Sequence, residues 1–172
     1  MSQDELMDIV DSEGNFLQTL LKREAHEKGL LHKVVLSQVI DSRGRWLLVK
    51  PVAGRQDAGQ YQSPMGGHVT AGETEEDAFK RETLEEIGLQ EDFKYEFVGR
   101  KIFNRFVIGR QENHFFIMYK IFSDQEPVLS FEDESYTYFT KEELKKGLKE
   151  TPELFGEAFR FVVESFFPDL LI

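Results

Sequence analysis

Residues 67–89 read GHVTAGETEEDAFKRETLEEIGL and form the most informative stretch of the chain. Thr74 stands where a helix cap is needed, Asp77 follows at the reciprocal capping position, and Gly88 lies where such a helix would stop. The stretch therefore predicts a loop followed by a helix over residues 74–87. The loop holds three glycines, which allow a tight turn and a close approach of the backbone to a ligand: Gly66, Gly67 and Gly72.

Three glutamates share one edge of this predicted helix. Glu82, Glu85 and Glu86 stand at i, i+3 and i+4, so at about 100° per residue they occupy a sector roughly 100° wide. Like charges at this spacing repel one another, and a bound cation would offset the repulsion. Hard cations such as Mg²⁺ prefer oxygen ligands. The alternative is a solvated acidic face, which is how we interpret the first turn of the helix: Glu75, Glu76 and Asp77.

Length and composition exclude several classes of protein. The chain has 172 residues, which predicts one domain, and a formal net charge of −11, which disfavours non-specific binding to nucleic acid or to anionic membranes. Cysteine is absent, which excludes a disulfide framework, a thiolate metal site and a cysteine nucleophile. No stretch approaches the roughly 18 apolar residues of a membrane helix, and residues 1–8 lack the pattern of a signal peptide. We therefore expect a cytoplasmic protein with no membrane partner.

The rest of the chain reads as strands interrupted by helices. Thr140 is spaced to cap a second helix with Glu143, and Thr151-Pro152 predicts the start of a third one, whose apolar residues recur at helical spacing. This alternation favours a mixed sheet between helical layers. Residues rich in β-branched and aromatic side chains predict the strands, at 33–40, 46–49, 95–108, 113–122 and 135–139, with a further hairpin over 8–17.

The stretch quoted above resembles the signature of the Nudix hydrolases. That signature is G, five residues, E, seven residues, R-E, an aliphatic residue, any residue, E-E, any residue, G and an aliphatic residue. Thr83 stands where the family has an aliphatic residue, for which we expect a packing cost rather than loss of the ligands. The positions that agree are Gly67, Glu73, Arg81, Glu82, Glu85, Glu86, Gly88 and Leu89.

The resemblance implies an α/β fold, namely the Nudix α/β/α sandwich with a mixed sheet and a central loop–helix, the Nudix box at 67–89. It implies a single domain over 1–172, with 1–30 as an N-terminal hairpin extension. Family members hydrolyse a diphosphate linked to some further group X and use Mg²⁺ or Mn²⁺. They are often dimers, so a homodimer is open for this chain.

Positions in the signature also imply roles for individual residues. Glu82, Glu85 and Glu86 would be metal ligands and catalytic residues, and the Gly67 carbonyl would be an additional ligand. Arg81 could pair with Glu73 and brace the loop against the helix, so both would orient the site.

The flanks of the signature resemble the type 1 isopentenyl-diphosphate isomerases. Those enzymes use a cysteine immediately before the signature glycine, where this chain has Gly66. They also use a glutamate two residues after another glutamate in a late strand, where this chain has His114. Isomerisation needs a proton donor and an acceptor on opposite faces of a double bond, and Gly66 supplies neither, so we disfavour this activity. The segments that carry the resemblance are 7–14, 26–32 and 63–68.

The same resemblance suggests a second metal site. In the isomerases, histidines in these segments and glutamates in the late strand hold a divalent metal. His26 sits one residue out of register, so the predicted second site consists of His32, His68, Glu112 and His114. Imidazole suits Zn²⁺, Mn²⁺ or Fe²⁺ better than Mg²⁺. The alternative is that these histidines are structural residues with ordinary hydrogen bonds.

The remaining roles are open at the level of sequence. For the general base we favour Glu85, and a carboxylate before the last strand, Glu132 or Glu134, is the alternative. Basic residues near the end of the second predicted strand, together with one histidine of the box loop, are the candidates for binding substrate phosphate: Lys50, Arg55 and His68, with Arg100 or Arg105 as alternatives.

The sequence thus predicts a metal-dependent pyrophosphohydrolase, in which water attacks phosphorus of a small-molecule diphosphate substrate. A nucleoside diphosphate derivative is the family's default for X, while the isomerase-like flanks keep a prenyl or other small diphosphate open. The alternative from another class is a Nudix module that senses a nucleotide without cleaving it. A role at nucleic-acid ends is disfavoured by the net charge of −11.

Overall fold

The computed structural model describes residues 4–90 and 92–172. Residues 1–3, with which the predicted domain and its extension begin, lie outside the described residues. No helix in the described part of the chain is long and apolar enough to cross a membrane. The strands are β1 (Leu6–Val10), β2 (Phe16–Leu21), β3 (His32–Ile40), β4 (Trp46–Pro51), β5 (Met65–His68), β6 (Lys94–Val107), β7 (Arg110–Phe122) and β8 (Asp133–Phe139). The helices are α1 (Lys22–Glu27), α2 (Glu75–Ile87), α3 (Lys141–Glu150) and α4 (Glu157–Phe166), with short 3-10 turns at Pro152–Leu154 and Pro168–Leu171.

Strand β3 lies at the centre of a mixed sheet. It pairs in parallel with β7, in a register that sets His32 opposite His114, and antiparallel with β1, β4 and β5. The sheet continues through β4 to β8, through β1 to β2, and through β7 to β6. Strand β3 therefore brings residues of four other strands together around it.

Helices cover both faces of this sheet. Successive β3 residues point to opposite faces, so Val35 packs in the core beneath α2 with Phe79, while Val34 packs in the core beneath α3 and α4 with Phe159. All four of these residues are at most 4% exposed. The predicted α/β/α sandwich with a mixed sheet is therefore confirmed.

The predicted signals at the ends of α2 are also confirmed. The Thr74 hydroxyl accepts a hydrogen bond of 3.1 Å from the Asp77 backbone N–H, and Gly88 adopts a left-handed φ of 65° just past the end. Thr83 is completely buried, and its hydroxyl donates a 2.7 Å hydrogen bond to the Phe79 carbonyl oxygen. The polar group at this usually aliphatic position is thus satisfied within the helix.

The prediction that the last helix begins at Thr151-Pro152 was wrong, because the chain leaves the helical path at Phe155. The Tyr61 N–H donates to the Leu154 carbonyl at 2.8 Å, and the Gly156 N–H donates to the Tyr61 carbonyl at 3.0 Å. This bridge holds Phe155 extended and buried, so α4 starts only at Glu157. Strand β5 was not predicted either, although its four residues hold the first part of the box against β3.

Candidate active site

Strand β5 and helix α2 meet where glycines face glutamates. A Cβ built on Gly67 would lie 2.0 Å from Cδ of Glu82, so the Glu82 side chain occupies the space that any side chain at position 67 would need. The Gly66 N–H donates a 3.1 Å hydrogen bond to Oε2 of Glu86. Glu82 is 1% exposed, whereas the Glu85 side chain is 55% exposed at the rim. The box therefore presents its three carboxylates along one edge, with Glu82 buried, Glu86 half-buried and Glu85 exposed.

Arg81 ties this edge to the preceding loop. Its guanidinium donates to both carboxylate oxygens of Glu73 at 2.8 and 2.9 Å, to Oε1 of Glu82 at 2.6 Å and to the His68 carbonyl at 3.0 Å. Glu73 in turn accepts hydrogen bonds from the backbone N–H and the hydroxyl of Thr70. The predicted brace between Arg81 and Glu73 is confirmed, and it also orients Glu82.

The electrostatics of the edge favour a bound cation. Burial raises the pKa of Glu82 to about 7, with the charges of Glu85 and Glu73 acting in the same direction against Arg81. Burial likewise raises the pKa of Glu86 to about 8. Carboxylates crowded into a desolvated cradle that leaves no space for a Cβ at Gly67 fit a divalent metal, which would stabilise their ionised forms.

A cavity of about 450 Å³ opens beside Glu86, between the sheet and α4. One wall is acidic, with Glu86, Glu132 and Asp133. Histidines 68 and 114 lie in its lining, and an apolar end is formed by Val34, Leu36, Phe103, Phe116, Phe159 and Val162. The remaining charged side chains of the lining are four cations and two further acids: Lys22, Arg55, Arg105, Arg110, Asp57 and Glu112.

The NUDIX domain family matches residues 30–159, which is more than half of the chain. The chain belongs to the Nudix family. The match assigns it to the hydrolases that act on pyrophosphate bonds. An uncharacterized Nudix hydrolase of Nostoc is 38% identical over 92 residues, which cover 52% of this chain and 54% of that protein.

A relative from the isomerase branch aligns over more of the chain. Isopentenyl-diphosphate Delta-isomerase 2 of Photorhabdus laumondii is 27% identical over 164 residues, covering 93% of this chain and 91% of that protein. This agrees with the resemblance to an isomerase-like branch of the Nudix family.

Solved structures share the fold. DR0079 of Deinococcus radiodurans has a TM-score of 0.76 at 20% identity, covering 95% of this chain and 99% of that one. The dihydroneopterin triphosphate pyrophosphohydrolase of E. coli has a TM-score of 0.60 at 18% identity, covering 84% and 98%. At these identities the likeness shows the Nudix fold alone.

Of the residues that the sequence predicted to bind substrate phosphate, some line the cavity and others lie elsewhere. Arg55 lines the cavity and forms an ion pair with Glu132, and Arg105 and His68 line it as well. Lys50 instead places its Nζ 4.5 Å from the centre of the Tyr61 ring. Arg100 pairs with Glu75 on α2 at 2.5 Å and lies outside the described cavity lining.

Two basic residues that the sequence did not nominate, Lys22 and Arg110, also line this Nudix cavity. Lys22 is only 6% exposed, and burial lowers its pKa. No local motif marks either residue. Lys22 reaches the cavity because α1 follows directly on β2, and Arg110 because β6 and β7 form a hairpin.

Glu112, a member of the predicted second metal site, is held by other side chains. Its carboxylate accepts hydrogen bonds from Arg105 at 2.9 Å, from Arg110 at 2.8 Å and from the Gln56 amide at 3.0 Å. Burial raises the pKa of Glu112, but the electrostatic interaction with His114 and the hydrogen bonds from the two arginines outweigh this effect and hold the pKa at about 2. Both carboxylate oxygens of Glu112 therefore already accept hydrogen bonds, mainly from the two arginines.

Four histidines come together beside the cavity instead. One ring nitrogen from each of His26, His32, His68 and His114 lies within 4.8 Å of all the others. The registers of β3 with β5 and β7 bring three of them together, and α1 supplies His26. The structure therefore groups three of the predicted ligands with His26, the histidine that the sequence placed out of register.

The four imidazoles are neutral and have few partners. Burial lowers the pKa of all four, to about 4 for His26. Nδ1 of His32 lies 2.8 Å from the Leu30 carbonyl oxygen, which can only accept, so this nitrogen carries the proton. Nε2 of His32, Nε2 of His68 and Nδ1 of His26 are buried without a hydrogen-bond partner among the described residues. Buried, unpartnered nitrogen lone pairs fit a transition metal.

Proposed function

We propose that this Nudix protein is a metal-dependent pyrophosphohydrolase that cleaves a small-molecule diphosphate linked to a group X by attack of water on phosphorus. The observation that carries the proposal is the cradle at Gly67, where the Glu82 carboxylate fills the space of a missing side chain. This contact fixes the carboxylate edge of α2 beside a cavity of about 450 Å³, a size that suits a small ligand.

Glu82, Glu85 and Glu86 would hold Mg²⁺ or Mn²⁺, with the Gly67 carbonyl as an additional ligand. A metal bound there supplies charge neutralisation for the diphosphate and activation of water. Arg81 keeps Glu82 oriented while its other donors hold the loop, so the edge is in place before the substrate arrives.

Cations of the chain itself would bind the phosphate charge that lies away from the carboxylate edge. Arg55 and His68, which were both predicted to bind substrate, lie in the cavity lining, and this position supports the role. Lys22 and Arg110 add two further basic residues to the same lining. Three of the four cations in the lining already form ion pairs with acids of the same lining, so a substrate phosphate would bind in competition with those acids. The prediction that Lys50 binds substrate phosphate has less support, because its ammonium group lies over the Tyr61 ring.

As the substrate we favour a nucleoside diphosphate derivative. The alternative is a prenyl or other small diphosphate, whose group X the apolar end of the cavity would accept. Isomerisation is disfavoured although the Photorhabdus relative carries that name. Gly66 offers no proton donor, and His114 belongs to the histidine cluster. A non-catalytic nucleotide sensor is disfavoured because binding alone does not require all three carboxylates.

The deciding experiment is phosphorus NMR of the protein with a panel of diphosphates, with Mg²⁺ and with Mn²⁺. The panel holds sugar nucleotides, dinucleoside polyphosphates, nucleoside triphosphates, coenzyme A and isopentenyl diphosphate. We expect metal-dependent cleavage that Glu85→Gln abolishes and that Glu76→Gln, a control at an exposed glutamate of the same helix, leaves intact. Binding without cleavage would favour the sensor, and double-bond migration in isopentenyl diphosphate would favour the isomerase.

We propose further that the histidine cluster binds Zn²⁺, Mn²⁺ or Fe²⁺ as a second metal site. The unpartnered ring nitrogens support this proposal. Titration with Co²⁺, followed by visible absorption, reports nitrogen coordination directly. We expect a band that His114→Gln removes and Glu85→Gln retains, and a band that survives His114→Gln would contradict the proposal.

The homodimer and the cytoplasmic location remain predictions. Light scattering of the purified chain tests the first, and fractionation of cells that express it tests the second. The single domain over 1–172 remains a prediction as well, which limited proteolysis tests.

A further inference from the structure

The segment before β8 is fixed to the end of the Nudix helix by its backbone. The Val128 N–H donates to the Ile87 carbonyl at 2.9 Å, and the Ser130 N–H donates to the Glu86 carbonyl at 3.0 Å. These two bonds hold the segment alongside the last turn of α2. The two acids that follow, Glu132 and Asp133, therefore enter the cavity on the same wall as Glu86.

A bulge decides which of the neighbouring acids points into the cavity. In the pairing of β4 with β8, Lys50 lies opposite Ser135 while Pro51 lies opposite Asp133, so Glu134 is the extra, unpaired residue. Bulges of this kind redirect side chains. Asp133 lines the cavity, whereas Glu134 is exposed and outside its described lining.

Asp133 differs from Glu132 in having its carboxylate unengaged. Glu132 forms an ion pair with Arg55. The Asp133 carboxylate makes no hydrogen bond or ion pair with any described residue. A partly buried carboxylate that is positioned by its backbone and left without a partner is suited to receive a proton.

We infer that Asp133 is the general base of the hydrolysis proposed above. The inference rests on that proposed function and replaces Glu85, Glu132 and Glu134 as candidates for this role. The Asp133 carboxylate takes a proton from the attacking water, and the water oxygen forms a bond to phosphorus. The bond between that phosphorus and the bridging oxygen breaks, and its electron pair leaves with the phosphate or X-phosphate product. The proton on Asp133 then returns to solvent.

The surroundings of Asp133 suit a base that works near neutral pH. Burial raises the pKa of Asp133 to about 6, with the Glu132 charge acting in the same direction and Arg55 opposing it. The charged groups that face it are Glu132 on its own segment, Arg55 on the loop after β4 and Glu86 on α2. General bases are most effective when their pKa lies near the operating pH.

The test is steady-state kinetics of the full chain carrying Asp133→Asn, on whichever diphosphate the wild type cleaves. We expect kcat to fall by about 10²- to 10⁴-fold, the size of a general-base contribution, with KM changed by less than about threefold. At saturating Mg²⁺, where the box glutamates are held in their ionised forms, the loss of rate toward acid pH should disappear in the variant. Asp133→Glu should recover part of the rate, and Asp124→Asn, the same change at an exposed acid of the same segment, should match the wild type.

Three results would overturn the inference. A kcat of Asp133→Asn within threefold of wild type would show that another group takes the proton. A variant that recovers the full rate at higher Mg²⁺ would make Asp133 a metal ligand. A variant with native circular dichroism whose rate at saturating Mg²⁺ keeps the wild-type acid dependence would give Asp133 a structural role. Absence of any turnover by the wild type is a distinct result, because it refutes the proposed function itself.

Discussion

Gly67→Ala tests the cradle on which the proposed metal site depends. The new Cβ would lie 2.0 Å from Cδ of Glu82 and 2.4 Å from its Cγ and Oε1. Ordinary contact begins at 3.4 Å, so the Glu82 carboxyl group would have to retreat by about 1.4 Å. Glu82 is 1% exposed and cannot swing into solvent, so the surrounding core must adjust.

We expect Gly67→Ala to lower both the stability and the activity, and the size of each loss can be stated. Overpacking of this kind lowers the free energy of unfolding by about 1–3 kcal/mol, which urea unfolding of the metal-free protein measures. Displacing a catalytic group by about 1 Å lowers the rate by about 10²-fold, so we expect kcat/KM to fall by at least that factor. Mn²⁺ affinity, measured by electron paramagnetic resonance, should fall in the same variant because Glu82 is a proposed ligand.

Gly66→Ala is the matched control. Its Cβ would lie 3.0 Å from Cδ2 of Leu36, the flexible end of a side chain, and the N–H that binds Glu86 is retained. We expect a loss of stability below about 1 kcal/mol and activity close to wild type. A folded Gly67→Ala protein with wild-type Mn²⁺ affinity and turnover would refute the reasoning, since the position of Glu82 would then not matter.

Two further predictions concern stability. Gly88 has a φ of 65°, and a Cβ there would lie 2.8 Å from Cβ of Val128. Gly88→Ala should therefore lower the free energy of unfolding, measured by urea unfolding, by about 1–3 kcal/mol. A loss below about 0.5 kcal/mol, on the order of the measurement error, would contradict this expectation. Glu112 has its pKa lowered from 4.5 to about 2, so the stability it provides is complete above pH 4.5 and is lost as the pH falls toward 2. The shift corresponds to about 3 kcal/mol of folding free energy. The difference in the free energy of unfolding between wild type and Glu112→Gln should therefore shrink as the pH is lowered from 7 to 3. A difference that does not change with pH would contradict the role of the hydrogen bonds from Arg105 and Arg110.

The Nudix box could be predicted from sequence because its signals are local. Helix caps act within three residues, and the shared edge of Glu82, Glu85 and Glu86 follows from helical geometry alone. The ion pair of Arg81 with Glu73 was also within reach, since it joins the ends of one loop–helix unit. Nothing beyond the box itself is needed to place these groups.

The remaining parts of the site depend on contacts between distant segments. The start of α4 was predicted too early because the bridge from Tyr61 to Phe155 joins residues far apart in the chain. His26 was left out of the second site because its spacing did not fit, yet α1 carries it to the cluster. Asp133 was overlooked because only the pairing of β4 with β8 reveals the bulge that turns it inward. Strand register is a long-range property, and composition does not encode it.

One departure from the isomerase pattern and the ion pairs of Glu112 together determine the charge of the cavity. Where the resemblance implies a second glutamate in the metal site, this chain has His114, which adds a neutral imidazole to the cluster. The remaining glutamate, Glu112, is neutralised by Arg105 and Arg110. The side of the cavity near β6 and β7 therefore loses its negative charge, while the α2 edge keeps all three box carboxylates.

Cation binding in a cavity follows the distribution of negative charge. With Glu112 paired to arginines, the oxygen ligands that remain for a hard metal such as Mg²⁺ lie along the box edge and on the adjoining wall with Asp133, whereas the histidine cluster suits softer ions. A diphosphate bound between the basic residues and the box edge would place its phosphorus next to the wall that holds Glu86 and Asp133. That placement favours attack at phosphorus over chemistry on the group X, which would lie toward the apolar end of the cavity.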